Sequence, residues 1–316
     1  MSPARKSSFE VRVPASTANL GAGFDCLGLA LEIYLSVRAS LLGSSSRTVA
    51  RSSGVRGTSQ LPKDPEQNLI FRAMRLTAER EGFSLPRVRI AVQNQIPVAG
   101  GLGSSAAAAV AGIALGFAVA GRPIDKDAAL RYATEMEGHP DNVAAALLGG
   151  LVVTFTRSDG SVVAIRKRWP KVIRLIVVTP NLMLETKKSR AVLPVSVPRV
   201  DAVYNLQRSA LFVAALEDRR YDLLWDAMQD RLHQHARQAL IPGLAEVLAL
   251  PRTPGLLGVA LSGAGPSVIA LATERFDQIG KAIAHCFEKH DLAPTIRNLE
   301  AAQEGISATQ KYISQK

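Results

Sequence analysis

The chain has 316 residues, 47% hydrophobic and 21% charged, enough for two packed domains and too apolar for an intrinsically disordered protein. Its longest apolar stretch, Ala106 to Gly121, is mostly Ala and Gly and falls short of the ~20 strongly apolar residues of a membrane span, so it reads as a buried helix. The net charge of +11 is spread along the chain in short clusters such as Arg166-Lys167-Arg168, with no interleaved aromatics to stack nucleobases. That leaves a basic cleft for an anionic substrate, or an ordinary solvated basic face.

Arg5 and Lys6 precede Phe9 to Pro14, which alternates as a strand and is no apolar signal core; no targeting segment is visible and a cytoplasmic location is expected. Leu27 to Ala39 reads as a second strand with Leu29, Leu31, Ile33, Leu35 and Val37 on one face. Gly43 to Gly57, rich in Ser, Gly and Arg, reads as a hairpin or exposed loop. A helix is expected over 68–81 with Leu69, Ala73, Leu76 and Thr77 inward, and a strand over 87–92. The small-residue helix after Gly103 runs to Ala120, a second helix spans 125–137, and Asp141 is placed to cap a third that ends at Gly149-Gly150. A hairpin follows over 151–165, around Ser158-Asp159-Gly160. Beyond Pro170 come a strand at 174–179, helices at 201–217, 219–235 and 274–288, and strands at 257–262 and 266–272. Hairpins outnumber βαβ units, so the fold class is α+β, divided at 1–168 and 169–316. Cys26 and Cys286 are far apart and have neither CxxC nor Cys/His spacing, so neither a disulfide framework nor a zinc site is suggested.

Gly100-Gly101-Leu102-Gly103-Ser104-Ser105 leads straight into a helix, so free backbone N–H groups and the positive end of a helix dipole converge on one point. Such a point binds an anion without a charged side chain. The segment is neither GxxxxGK[ST] nor a dinucleotide-binding GxGxxG, although a plain tight turn with a Ser cap has the same local pattern.

Four segments together carry a family resemblance. Val13 to Gly28 (VPASTANLGAGFDCLG) resembles the first motif of homoserine kinases, members of the GHMP superfamily. Pro97 to Ala107 resembles the superfamily's ATP-binding motif, Leu261 to Ser267 its third motif, and Glu137 to Val143 (EGHPDNV) a stretch typical of homoserine kinases. The match runs from near residue 10 to beyond 270, in family order. It implies an N-terminal domain like ribosomal protein S5 domain 2, a ferredoxin-like C-terminal domain, and a cleft between them that transfers phosphate from ATP to the side-chain hydroxyl of L-homoserine. The resemblance admits a homodimer.

The same resemblance implies site residues. Pro97, Val98, Ala99, Gly100, Gly101, Leu102, Gly103, Ser104, Ser105 and Ala106 would hold ATP, with Asn68 near the adenine. Ser105 and Glu137 are the candidate Mg²⁺ ligands, with Glu135 the alternative. Asn19, Asp25, Asn142, Thr186, Arg190, Arg237 and Gly263 would form the substrate pocket. Arg190 and Arg237 match positions that grip the α-carboxylate, for which arginine forks are suited. Asp25 is the partner for the ammonium and a candidate contact of the hydroxyl; Asn142 lies beside that hydroxyl, so these two are the catalytic candidates. No Asp/Lys pair like that of mevalonate kinases is visible, which implies transfer without a dedicated base. Outside the resemblance, Asn19 and Asp25 read as turn residues, Asp141-Asn142 as a helix cap and His139 as structural, while His233 and His235 lack a third metal partner. The runner-up is a GHMP kinase for another small alcohol such as mevalonate or shikimate. A nucleic-acid-binding role, invited by the high pI and the S5-like domain, is disfavoured by the missing aromatics.

Overall fold

Two sheets organise the chain in a computed structural model that describes residues 6–42, 49–52, 64 and 66–313. The first part runs β1 (Lys6–Asn19), β2 (Gly23–Leu41), β3 (Val49–Ser52), α1 (Leu69–Arg80), β4 (Val88–Asn94), α2 (Ser104–Val119), α3 (Lys126–Glu137), α4 (Asp141–Leu148), β5 (Leu151–Thr156) and β6 (Val162–Lys167). The second runs β7 (Arg174–Thr179), α5 (Thr186–Ala191), α6 (Arg199–Glu217), α7 (Leu224–Ala227), α8 (Gln234–Arg237), α9 (Leu244–Leu248), β8 (Leu256–Leu261), β9 (Val268–Ala272), α10 (Phe276–Glu288), β10 (Thr295–Leu299) and β11 (Ser307–Ile313).

The larger sheet has the order β11-β1-β2-β4-β3, with β5 joining β2 to β6; only β3–β4 is parallel. The smaller sheet, β10-β7-β9-β8, is antiparallel, and its first, second, third and fourth strands lie in the order 4-1-3-2 of a ferredoxin-like unit. The α+β reading holds. The expected division at 168/169 falls between β6 and β7, and β11 crosses it to pair with β1.

The buried alternation of β1 and β2 (Val11, Val13, Leu29, Leu31, Leu35, Val37) faces α2 and α4. α2 is apolar all round, as a helix enclosed on every side must be. A Cβ on Gly112 would sit 2.4 Å from the carbonyl oxygen of Ile70, so α1 and α2 touch backbone to backbone there. This close crossing rotates the inner face of α1: Ile70, Phe71, Ala73, Met74, Thr77 and Ala78 are buried, whereas Leu69 and Leu76 are only half-buried.

Three other expectations need correction. The single helix at 219–235 is broken into a 3₁₀ turn (Tyr221–Leu223), α7 and α8, because the Asp230 carboxylate accepts from the N–H groups of Leu232, His233 and Gln234 and so competes with helical bonding. Asp141 does not cap α4; Pro140 occupies that position and Asp141 lies in the first turn. Within the loop or hairpin expected at 43–57, residues 49–52 form β3 and the remainder lies outside the described residues. The extension of β2 back to Gly23, and α5, α9, β10 and β11, were not read from the sequence.

Candidate active site

The glycine loop enters α2 through Gly103, which has φ 66° and no side chain to cap the helix, so the first-turn N–H groups face the cleft. Two glycines permit this position by close approach. A Cβ on Gly103 would lie 2.1 Å from Ser16 Oγ, and one on Gly101 2.5 Å from the carbonyl oxygen of Ser262. The loop is thus wedged between the first and third motifs, and hydrogen bonds fix it from both sides. Ser16 N–H donates to Leu102 O (3.2 Å), Ser267 N–H to Gly100 O (3.2 Å) and Ser262 Oγ to Gly101 O (2.7 Å).

The first motif supplies the cleft's opposite wall. Asn19, Leu20 and Asp25 have positive φ, conformations more readily adopted by Asn and Asp than by branched residues. Asn19 is also a staple: its Nδ2 donates to Gly263 O (3.0 Å) and its Oδ1 accepts from Asp25 N (3.1 Å). Asp25 then receives both nitrogens of the Arg190 fork, at 2.6 and 3.0 Å. That carboxylate raises the Arg190 pKa above its ordinary value, opposing the effect of burial.

Arg237 is fully buried. Its guanidinium donates to Ser189 O (3.2 Å), Gly263 O (3.1 Å) and His233 Nδ1 (2.9 Å). Burial first, and the neighbouring Arg190 charge second, push its pKa down to about 10, which leaves it a cation at neutral pH. Phe24 packs beneath both guanidiniums, at 5.5 and 5.6 Å, and stacks on His233. The two arginines repel each other, and of the nearby carboxylates of Asp25, Asp141 and Asp230 only Asp25 pairs directly with one of them.

His233 is buried and held neutral: Nε2–H donates to Gly21 O (2.9 Å), leaving Nδ1 to accept from Arg237. Burial lowers its pKa below 6.5. Because the unfolded chain then binds a proton that the folded protein excludes, stability is full above about pH 6.5 and declines as pH falls toward the folded value. Protonation would also cost Arg237 an acceptor. We expect the substrate KM of the native protein to hold level through pH 6.5 and to rise only as pH falls toward the lowered His233 value, and a His233→Gln variant, which keeps an acceptor but cannot titrate, to lack that rise; initial-rate kinetics from pH 8 down to the acid limit of folding check this.

On the floor, Asp141 Oδ1 accepts from Asn142 N (2.6 Å), Asn142 Nδ2 (3.3 Å) and His139 Nδ1 (2.7 Å), while Asn142 Oδ1 accepts from Ser16 Oγ (2.9 Å). The Asn142 amide is therefore locked in one orientation. Glu137 Oε1 accepts from Ser105 Oγ at 2.5 Å, and burial raises its pKa. Glu135 is turned away and pairs with Arg80 at 2.6 Å.

One cleft thus collects Asn19, Asp25, Ala99, Gly100, Gly101, Leu102, Gly103, Ser104, Ser105, Glu137, Asn142, Thr186, Arg190, Arg237 and Gly263. Asn68, Pro97, Val98 and Ala106 do not line it: Asn68 is buried and accepts from Ile70 N–H as the cap of α1, Val98 is exposed and Ala106 is enclosed within α2. Phe24, His139, Asp141, Leu184 and Ala264 also line it. Each of these except Leu184 lies inside a segment the motifs had marked. Among the described residues, no group of three or more His, Cys, Asp or Glu side chains could hold a metal ion by itself.

Residues 68–150 match the GHMP kinases N-terminal domain and residues 212–303 the GHMP kinases C-terminal domain. The chain is 42% identical over 298 residues to homoserine kinase of Desulfitobacterium hafniense, covering 94% of this chain and 98% of that protein. It is 35% identical over 354 residues to homoserine kinase of Saccharomyces cerevisiae, covering 96% and 99%. The crystal structure of homoserine kinase from Cytophaga hutchinsonii superposes with a TM-score of 0.83 at 29% identity, covering 96% and 97%. A crystal structure of mevalonate kinase shares the fold alone, with a TM-score of 0.66 at 14% identity. With its loop, its motifs and both domains accounted for over nearly the whole length, the chain belongs to the homoserine kinase family of GHMP kinases.

Proposed function

We propose that the protein transfers the γ-phosphoryl group of ATP to the side-chain hydroxyl of L-homoserine. The observation that carries this reading is the Arg190–Asp25–Arg237 arrangement opposite an anion-binding helix start. A zwitterionic amino acid completes it by exchange: its carboxylate goes to the two guanidiniums and its ammonium to Asp25, which Arg190 occupies in its absence. Mevalonate and shikimate carry no ammonium and would leave that carboxylate without its substrate partner, which disfavours them.

The chemistry then rests on position and charge, as a loose phosphoryl-transfer transition state requires. The loop's N–H groups and the α2 dipole face the phosphates. The Asn142 amide, immobilised by Ser16 and Asp141, orients the hydroxyl for in-line attack. With Asp25 paired to Arg190 in the free protein and to the substrate ammonium once the exchange is made, Asp25 is poorly suited as a base, which favours late proton transfer to the phosphate itself. Ser105 and Glu137 suit a hard cation: a hydroxyl and a carboxylate converge beside the loop, and burial holds the carboxylate's pKa above its ordinary value. They would hold Mg²⁺, which supplies neutralisation of phosphate charge when bound.

An ADP-release assay across L-homoserine, D-homoserine, L-serine, L-threonine, mevalonate and shikimate tests the reading. L-Homoserine should be preferred, and Asn142→Ala should lower kcat by about a hundredfold or more with a smaller change in KM, as loss of an orienting contact made in the transition state would. Faster turnover of mevalonate or shikimate would discard the amino-acid pocket.

A further inference from the structure

The basic cluster Arg166-Lys167-Arg168 takes no part in the candidate active site. It lines a separate groove of about 700 Å³ that shares no residue with that cleft. The groove lies where the two parts of the chain meet. The end of β6 and the linker to β7 make one wall, and the end of α6 with Tyr221 makes the other. Its volume is that of a small-molecule site, and such sites concentrate at domain junctions.

Charge and apolar surface occur together there. Arg166, Lys167, Arg168, Lys171 and Arg219 line the groove against a single carboxylate, Glu217. Lys167 is matched by Glu217 at 2.7 Å and Arg166 by Glu304 at 3.0 Å. Arg168, Lys171 and Arg219 are exposed and pair with no carboxylate among the described residues. The rest of the lining is largely apolar: Leu151, Val213 and Leu216, with Val172 exposed and Tyr221 half-buried. Cations gathered round an apolar floor fit an anion that carries an apolar body, rather than an inorganic ion.

Both walls are fixed in place. Trp169 N–H donates to Gln303 Oε1 (3.2 Å), Gln303 Nε2 to Trp169 O (3.0 Å), and Trp169 Nε1 to Ile173 O (3.0 Å). The linker that carries Arg168 and Lys171 is therefore preorganised. On the other wall α6 closes with a Schellman motif, in which Arg220 N–H donates to Ala215 O and Arg219 N–H to Leu216 O. Arg219 takes its left-handed position at φ 57°, where glycine is the usual residue and an L side chain is strained. A cation thus stands at the groove in a position that local stability would assign to glycine.

We propose that this groove binds a phosphate monoester on an apolar or planar body, with the phosphate met by Arg168, Lys171 and Arg219 and the body laid on Leu151, Val213 and Leu216. A phosphate monoester carries about −1.5 to −2 at pH 7 on one group, which suits cations from two walls better than a single carboxylate does.

Calorimetric titration of the full chain with 1-naphthyl phosphate tests the proposal, with the active-site cleft first filled by a non-hydrolysable ATP analogue and L-homoserine. One molecule per chain should bind in the micromolar range. Methyl phosphate, of similar charge but without the ring, should bind about tenfold or more weakly. Arg168→Ala/Lys171→Ala should weaken 1-naphthyl phosphate by about tenfold or more with unchanged circular dichroism. Arg219→Gly should weaken it as well while raising the midpoint of thermal unfolding, an opposition that a purely structural arginine would not produce. Methyl phosphate or 1-naphthoate binding as tightly as 1-naphthyl phosphate overturns the proposal. So does binding that both variants leave unchanged, or no binding at millimolar concentration.

Discussion

Gly103→Ala is expected to abolish productive nucleotide binding, raising the KM for ATP by about a hundredfold and lowering kcat/KM by about a thousandfold, the scale of losing preorganised donors around a phosphate. Two costs combine. At φ 66° an L side chain is strained by about 1–2 kcal/mol. The added Cβ would also fall 2.1 Å from Ser16 Oγ and 3.1 Å from Asn142 Oδ1, so the loop must leave its seat or displace the residue that orients the acceptor hydroxyl. Two controls separate these causes. Gly160, in the β5–β6 turn, has φ 80° and open space around its missing Cβ, so Gly160→Ala carries the strain alone and should cost stability without touching ATP affinity. Adding Ser16→Gly to Gly103→Ala removes the nearest clashing atom and should restore part of the nucleotide binding. Calorimetric titration with a non-hydrolysable ATP analogue reads all four proteins; native affinity in Gly103→Ala would mean that the loop is not where the phosphates sit.

Arg237→Ala is expected to raise the KM for L-homoserine by several hundredfold, about 3–4 kcal/mol, within the range for truncating one partner of a buried charge pair. The KM for ATP should change little. Stability should also fall, by about 1–3 kcal/mol, because Ser189 O and Gly263 O lose a donor inside the protein. Lysine should not rescue the variant: its ammonium has no planar fork to serve two carbonyls, His233 and a carboxylate together. Steady-state kinetics in both substrates, with thermal unfolding in parallel, separates the binding loss from the folding loss. An unchanged L-homoserine KM in a folded Arg237→Ala protein would remove Arg237 from the pocket.

Legibility in the sequence followed the physics of each part. The glycine loop was readable because close approach and positive φ demand glycine, and Gly101 and Gly103 occupy those positions. The buried strands of the larger sheet were readable from their alternation. The breaks in the segment 219–235 were not, because they depend on Asp230, whose turn bonding looks like an ordinary helix residue until Asn205, 25 positions away, is seen to donate to it at 2.7 Å. The locked Asn142 amide depends on Ser16, 126 positions away, a partner no local pattern reveals. Asn68 shows the converse: an Asn ahead of a helix is a cap on local grounds, and its Oδ1 accepts from Ile70 N–H as that reading expects.

The pairing of β11 with β1, in register from Lys6 opposite Ile313 to Arg12 opposite Ser307, has a consequence for how the molecule is made. β1 emerges from the ribosome long before β11, and its outer edge stays without this partner until β11 has been synthesised. Through that interval a strand with unpaired backbone groups is open to any other extended segment. The larger sheet is therefore completed only once β11 has been made, and nascent chains stalled before Ser307 should be more prone to aggregate than those stalled after Ile313.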